Sequence, residues 1–438
     1  MESTTNAPLR DRHPEPTMPA RTAADTALFQ HMPTTQPLAS ATAIAIAGLL
    51  SLAVAMGIGR FAFTPLLPMM LHDGVVTLSA ASWLATANYL GYWVGALACA
   101  WQPWLWKRWR AAPPVVHTAV VRFGLVSTLL LTLGMAAPWA ATWPLWRFLA
   151  GVASALVFVY TSGWCLARLT TLGAPALAGI IYIGPGLGIT VSGLAASAMV
   201  AGGWSAASGW AVFAVLATVL TALAWPQLRG AIAAPPAPPA AGGAAQGLAM
   251  GLFTFAYGLA GFGYIITATF LPVIARQALP GSVWLDLFWP LFGLGVAVGA
   301  LLTVRLPVRW DRRRLLMASY SMQALGVLMS VWLPSLAGFA FGSLLLGLPF
   351  TAITLFAMQE ARRLRPHNAS AFIGLLTAAY GLGQIAGPPL VALLLQRSGG
   401  AGRGFALSLE TAAAALLVGV VIFGWLARRH PPVAQLRP

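Results

Sequence analysis

The chain has 438 residues, 59% of them hydrophobic and only 8% charged, with a mean hydropathy of +0.79. A soluble globular domain carries roughly 25% charged residues, so this composition excludes an ordinary soluble fold and points to a chain built for lipid. The formal charge of +16 would suggest a nucleic-acid partner in a soluble protein; here placement matters more than the sum, because basic residues collect in the cytoplasmic loops of membrane proteins.

Residues 1–40 are polar, Pro-rich and aperiodic, and read as a disordered cytoplasmic tail; the apolar run behind them starts too late and is too long for a cleaved signal peptide. A bilayer span takes roughly 20 apolar residues. Runs of that size fall at 41–71, 78–100, 118–136, 142–167, 175–200 and 205–226, which make a first six-helix bundle over 41–226. The first run carries Arg60 among Gly57, Gly59 and Pro65, the second carries Asn88 and Tyr89, and the fourth carries Arg147. Residues 227–246 hold Pro235, Pro236, Pro238 and Pro239 among Ala and Gly, a composition for an extended cytoplasmic linker rather than a packed core. Six more runs follow at 247–273, 283–304, 315–333, 336–358, 370–396 and 404–427, a second bundle over 247–430. They carry Tyr264, Thr267 and Thr269, then Asp286, then Tyr380 and Gln384, and finally Glu410. Residues 431–438 close the chain as a short cytoplasmic tail.

Orientation follows from the 25 basic residues. With twelve spans and the N-terminus inside, all but five fall in cytoplasmic tails and loops or, as Arg122 does, near the cytoplasmic end of a run. Arg276, Arg397 and Arg403 lie on the other side, and Arg60 and Arg147 lie inside helices. That asymmetry places both termini in the cytoplasm, and an odd number of spans would spoil it. Cys99 and Cys165 fall near cytoplasmic helix ends, which excludes a disulfide-stapled ectodomain.

An internal repeat supports the same division. At an offset of 204, Gly57, Gly59, Leu67 and Pro68 map to Gly261, Gly263, Leu271 and Pro272. Leu90, Gly91, Val94 and Gly95 map to Leu294, Gly295, Val298 and Gly299, and Trp106, Arg108 and Arg110 map to Trp310, Arg312 and Arg314. One offset serving three separate segments is not a coincidence of Gly- and Leu-rich helices. Two parallel six-helix repeats around a midplane cavity make an all-α membrane protein of the major facilitator fold.

Three segments carry a family likeness. Gly57-Ile-Gly-Arg-Phe-Ala-Phe-Thr-Pro-Leu-Leu-Pro68, Tyr257-Gly-Leu-Ala-Gly-Phe-Gly-Tyr-Ile-Ile-Thr-Ala-Thr-Phe-Leu-Pro272 with Arg276 behind it, and Gly383-Gln-Ile-Ala-Gly-Pro388 resemble signatures of the YbfB/YjiJ family of major facilitator transporters. The likeness spans roughly 41–430 and implies a bacterial inner-membrane transporter, without naming a solute. Arg147 in Arg-Phe-Leu-Ala-Gly151 resembles the superfamily's fourth-helix arginine motif. The loop after the second helix keeps Gly95, Lys107, Arg108 and Arg110 of the superfamily's gating motif but has no acid; its second copy has Asp311 beside Arg312, Arg313 and Arg314. Arg108, Arg110, Asp311, Arg312 and Arg314 are therefore expected in gating loops. Gly184-Pro185-Gly-Leu-Gly188 matches the antiporter Gly-Pro motif only in part, because Ile180 stands where that motif has glycine.

A charged side chain inside a membrane helix faces a cavity or a partner, because lipid penalises it by several kcal/mol. Arg60 and Arg147 share a half-bundle whose predicted helices contain no Asp or Glu. The guanidinium fork suits a carboxylate or phosphate, so the functional reading is an anionic solute; the plainer reading is that each arginine caps helix carbonyls and holds two helices in register. Tyr264, the repeat partner of Arg60, with Thr267 and Thr269, gives the seventh helix a polar face. Gln384 with Tyr380, and Asn88 with Tyr89, are further candidates for solute contact or for helix packing. Within the predicted spans only Asp286 and Glu410 can carry a coupling proton, with Glu410 the more peripheral. The tryptophans gather at span ends, which is belt placement.

The six histidines lie in tails, loops or helix edges without metal or triad spacing, and there is no Walker-type phosphate loop, so neither an enzyme nor an ATP-driven pump is indicated. The expectation is a proton-coupled secondary transporter of a small solute, an organic anion in the sharper form. It needs no cofactor, metal or nucleic acid, and is expected to work in the bilayer as a monomer. The alternatives are a drug or metabolite efflux antiporter and a non-transporting membrane sensor.

Overall fold

The computed structural model describes residues 41–108, 116–230, 247–282, 284–307, 310–365 and 369–429. The expected tails, the linker from 231 onward and Arg110 lie outside them. Twelve helices follow the predicted runs: α1 (Ala41–His72), α2 (Leu78–Arg108), α3 (His117–Gly134), α4 (Trp143–Thr171), α5 (Gly184–Ala201) and α6 (Ala206–Ala224). Then come α7 (Gly247–Ala278), α8 (Phe288–Val304), α9 (Arg312–Trp332), α10 (Leu336–Leu364), α11 (Ala369–Arg397) and α12 (Ala401–Arg429). Among the described residues there is no strand.

Eleven of these spans, some with the short turns that lead into them, are long and apolar enough to cross a bilayer. The other, α2, is 31 residues long but carries Ser82, Thr86, Asn88, Tyr89 and Tyr92 through its middle. Such polarity is tolerated in lipid only where the groups face protein or a cavity. Large side chains such as Phe123, Val215, Leu223 and Val421 are instead exposed on the outside of the bundle, as acyl chains require.

The two sets of six pack alike. α2 lies against α4 and α8 against α10; α1 against α5 and α7 against α11; α3 against α4 and α9 against α10. The repeated glycines explain part of this, since small residues let membrane helices approach closely. Gly91 and Gly95 of α2 lie on the α4 backbone at Phe148 and Val152, and their partners Gly295 and Gly299 lie on the α10 backbone at Leu344 and Leu348. The sets meet along two seams, α2 against α11 and α5 against α8, with α1 beside α7 between them. Thr64 Oγ1 of α1 donates to Ala268 O of α7 at 2.7 Å. These residues are 204 apart, so the helices cross at the repeat axis.

α1 is not one regular helix. Ala53–Arg60 is a π-helical stretch, and Phe61 N bonds to Met56 O at 3.2 Å, five residues back. Pro65 lacks an N–H, which further loosens the ladder here. A side chain at Gly57 would meet the α5 backbone at Gly188, and one at Gly59 would come within 2.8 Å of Thr128 on α3. The irregular turn is thus wedged among α3, α4 and α5.

α10 runs further than its predicted end at 358, reaching Leu364. That extension brings Glu360 into the membrane-spanning region as a third acid, and it is 1% exposed. The hydropathy of the run fades before Glu360, which is why the sequence pattern stops short of it.

Candidate functional site

Arg60 ends the π stretch, roughly 28 Å along α1 from its start at 1.5 Å per residue, deep within the span. Its guanidinium is 2% exposed and reaches across the seam: Nη2 donates to Gln384 Oε1 on α11 at 2.6 Å. Gln384 Nε2 in turn donates to the Tyr264 hydroxyl oxygen on α7 at 2.5 Å. Arginine has no acceptor, so this chain of bonds fixes which way the Gln384 amide faces. The repeat partners Arg60 and Tyr264 are therefore linked through one amide. Tyr380 stacks on Tyr264 at 5.9 Å and 21°, and Tyr257 adjoins Tyr380 at 4.9 Å.

Aromatic rings surround the cation. The Arg60 Cζ atom is 4.0 Å from the Tyr92 ring centroid and 5.4 Å from those of Phe61 and Tyr89. A guanidinium at such distances is attracted by the ring faces. Tyr89 closes a second link across the seam. Thr269 Oγ1 gives its one hydrogen to Ile265 O at 2.6 Å, so at 2.8 Å the Tyr89 hydroxyl is the donor to Thr269.

Arg147 is bound differently. Its Nη1 and Nη2 donate to Gly59 O and Arg60 O at 3.5 and 3.2 Å, and its Cζ is 4.9 Å from the Phe63 ring. Two turns away on α4, the Ser154 hydroxyl lies 2.8 Å from both Ala55 O of α1 and Ala150 O of its own helix, so its one hydrogen is shared between them. α4 thus donates to carbonyls of the irregular stretch of α1. Asn88 Nδ2 donates to Arg147 O at 2.9 Å, which ties α2 to α4 behind the site. The Arg147 fork and Asn88 Nδ2 are thus on backbone, while Arg147 Nε and Asn88 Oδ1 are buried without a hydrogen-bond partner among the described residues. Thr267 is buried, and its hydroxyl has no partner among the protein atoms.

The remaining candidates lie apart from this group. Asp286 stands in a short turn before α8 and is ion-paired with Arg276 at the end of α7; its carbonyl accepts from Ser197 Oγ of α5 at 3.0 Å. Glu410 is exposed on α12 and Arg108 at the end of α2. Asp311 caps α9 by accepting from Arg313 N at 2.9 Å. Arg312 is packed near Phe356, its Cζ 5.7 Å from the ring, and Arg314 is exposed.

Three residues of consequence escape the sequence reading. Tyr92 lies one turn beyond Tyr89, a spacing that puts both on one face of α2. Arg313 and Glu360 form a buried pair at 3.3 Å, and Glu360 also takes two bonds, at 2.8 and 2.7 Å, from Arg363. The i, i+3 spacing of Glu360 and Arg363 carried that signal.

Comparison with known proteins agrees with this architecture. No curated protein matches the chain. The crystal structure of a nucleoside transporter, NupG, in a point-mutant form, superposes with a TM-score of 0.66 at 14% identity, covering 88% of this chain and 99% of that one. A likeness at that identity speaks for the fold alone. The family model described as uncharacterised MFS-type transporter YbfB matches residues 52–423, taking in the Arg60, Tyr264 and Gln384 segments. With twelve helices in two like sets and that match over nearly all of them, the chain is a multi-pass membrane protein and belongs to the YbfB family of major facilitator transporters.

Proposed function

We propose that the protein is a secondary active transporter that moves a small organic anion across the bacterial inner membrane by alternating access, driven by protons. The observation that carries this reading is the state of Arg60. A buried guanidinium at the seam between the two helix sets bonds to a neutral amide, keeps Nε without a partner, and has no carboxylate within ion-pair distance among the described residues. An unpaired charge in lipid is costly, and a carboxylate entering between the sets supplies the missing counter-charge. The bundles 41–226 and 247–430 are the rocking units, and the asymmetry of basic residues supports cytoplasmic termini.

Asp286 is the acid assigned to coupling. Its protonation would release Arg276 at the mouth of the α5–α8 seam, where Ser197 holds the Asp286 carbonyl. Uptake into energised vesicles tests both parts. Arg60→Gln is expected to lose anion transport by at least about a hundredfold, and Arg60→Lys to keep a weak remnant without the bidentate geometry. Asp286→Asn is expected to keep solute exchange but lose pH-driven accumulation. Normal transport of a neutral solute such as a nucleoside by Arg60→Gln would sink the anion reading, and unchanged pH-driven accumulation by Asp286→Asn would sink the coupling role.

A further inference from the structure

The surroundings of Arg60 narrow the solute in two respects, charge and shape. Arg147, the other buried arginine among the described residues of the first six helices, has its fork on Gly59 O and Arg60 O. Arg276 and Arg313 are held by Asp286 and Glu360. Of these four, Arg60 alone has its fork on a side chain across the seam, so one acidic group is matched there and a second would enter without a counter-charge.

Shape follows from what parts when the seam opens. Besides the hydrogen bonds Tyr89–Thr269 and Thr64–Ala268, two kinds of contact join the helix sets around Arg60. One is the Arg60–Gln384 bond, in which a planar amide presents an oxygen to the guanidinium. The other is ring on ring: Phe61 of α1 meets Phe350 of α10 edge-on at 6.4 Å and Trp289 of α8 at 6.0 Å. Phe350 also stands edge-on to Tyr264 at 5.0 Å. Alternating access must break the contacts that cross the seam. A solute with a planar carboxylate and an aromatic ring replaces both, the carboxylate on the fork and the ring among the rings.

Resting on the anion reading above, we propose that the solute is an aromatic monocarboxylate, whose carboxylate takes the place of Gln384 on Arg60 and whose ring sits among Phe61, Tyr92, Tyr264 and Phe350. Gln384 then acts as the internal occupant of the fork, and its displacement frees α11 from α1. Aromatic pairing beyond simple burial corresponds to roughly a two- to tenfold gain in affinity.

Thermal shift of the purified protein in detergent tests this with benzoate, 2-naphthoate, cyclohexanecarboxylate, phthalate and benzamide, each up to about 10 mM, where mass action reports even millimolar binding. The two aromatic monoacids are expected to raise Tm, with apparent affinities about two- to tenfold above that of cyclohexanecarboxylate. Phthalate and benzamide are expected to do nothing. Gln384→Ala, which removes the competing amide, is expected to bind benzoate more tightly, whereas Arg60→Gln loses it. Equal binding of cyclohexanecarboxylate or phthalate, lost in Arg60→Gln, overturns the aromatic monoacid while the anion reading stands. Binding of benzamide as tight as benzoate, unchanged in Arg60→Gln, overturns both. No shift from either aromatic monoacid, or looser benzoate binding by Gln384→Ala, also overturns the proposal.

Discussion

Arg60 and Arg147 are both 2% exposed, but their partners differ in kind. Arg147 holds two carbonyls of its own half, whereas Arg60 holds a side-chain amide of the other half. A bond to an irregular backbone stretch stabilises the fold in every state of a transport cycle; a bond across a moving seam lasts for only part of it. Arg147→Gln is therefore expected to lower stability by about 1.5–3 kcal/mol, and Ser154→Ala by about 0.5–1.5 kcal/mol, since one loses charged and the other neutral hydrogen bonds. Solute affinity should change by less than about threefold in folded Arg147→Gln. Tm and ligand titration on the same samples check this, and an unchanged Tm with lost binding would return Arg147 to the solute site.

At the scale of elements, the ends of α9, α10 and α12 are joined by charge. Glu360 on α10 lies between Arg313 of α9 and Arg363 of its own helix, and Arg313 Nη1 donates to Leu426 O near the end of α12 at 2.8 Å. A cation at helix-terminal carbonyls is favourable, and here the buried carboxylate holds that cation in place. Glu360→Gln leaves buried Arg313 with Asp311 at 3.4 Å as its counter-charge among the described residues, and is expected to destabilise by about 3–5 kcal/mol. The double variant Glu360→Gln with Arg313→Met removes the stranded charge and should regain most of the loss. Unfolding of the three proteins under one set of detergent conditions checks the cycle; a double variant less stable than Glu360→Gln would refute the account.

For the whole molecule, the repeat and the seams go together. The halves share the pairings α2–α4 with α8–α10, α1–α5 with α7–α11 and α3–α4 with α9–α10, and they meet through α2–α11, α5–α8 and α1–α7. Thr64–Ala268 and Tyr89–Thr269 close the centre with hydrogen bonds, and the α5–α8 seam packs Gly186 and Gly193 against Gly293 and Pro290. The proposed orientation puts both termini and the linker on the Arg-rich side. Reporter fusions at residues 20, 240 and 435 are expected to read cytoplasmic, and periplasmic activity from any of them would break the assigned orientation.

Hydropathy placed the twelve spans, because a bilayer imposes a length and an apolarity that any sequence must display, and residue matches at one offset of 204 marked the two-set repeat. The same rule made Arg60 and Gln384 conspicuous, since polar groups in such spans are few. What each polar group touches was decided only by tertiary structure. Arg60 and Arg147 look alike as isolated charges, and the π stretch that hands Gly59 O and Arg60 O to Arg147 arises from close packing among α1, α4 and α5. Gln384 lies 324 residues from Arg60, and Glu360 meets Arg313 only because α9 and α10 run side by side. Spans are written locally, in the cost of exposing polar atoms to lipid, whereas partners are chosen by which helices pack together.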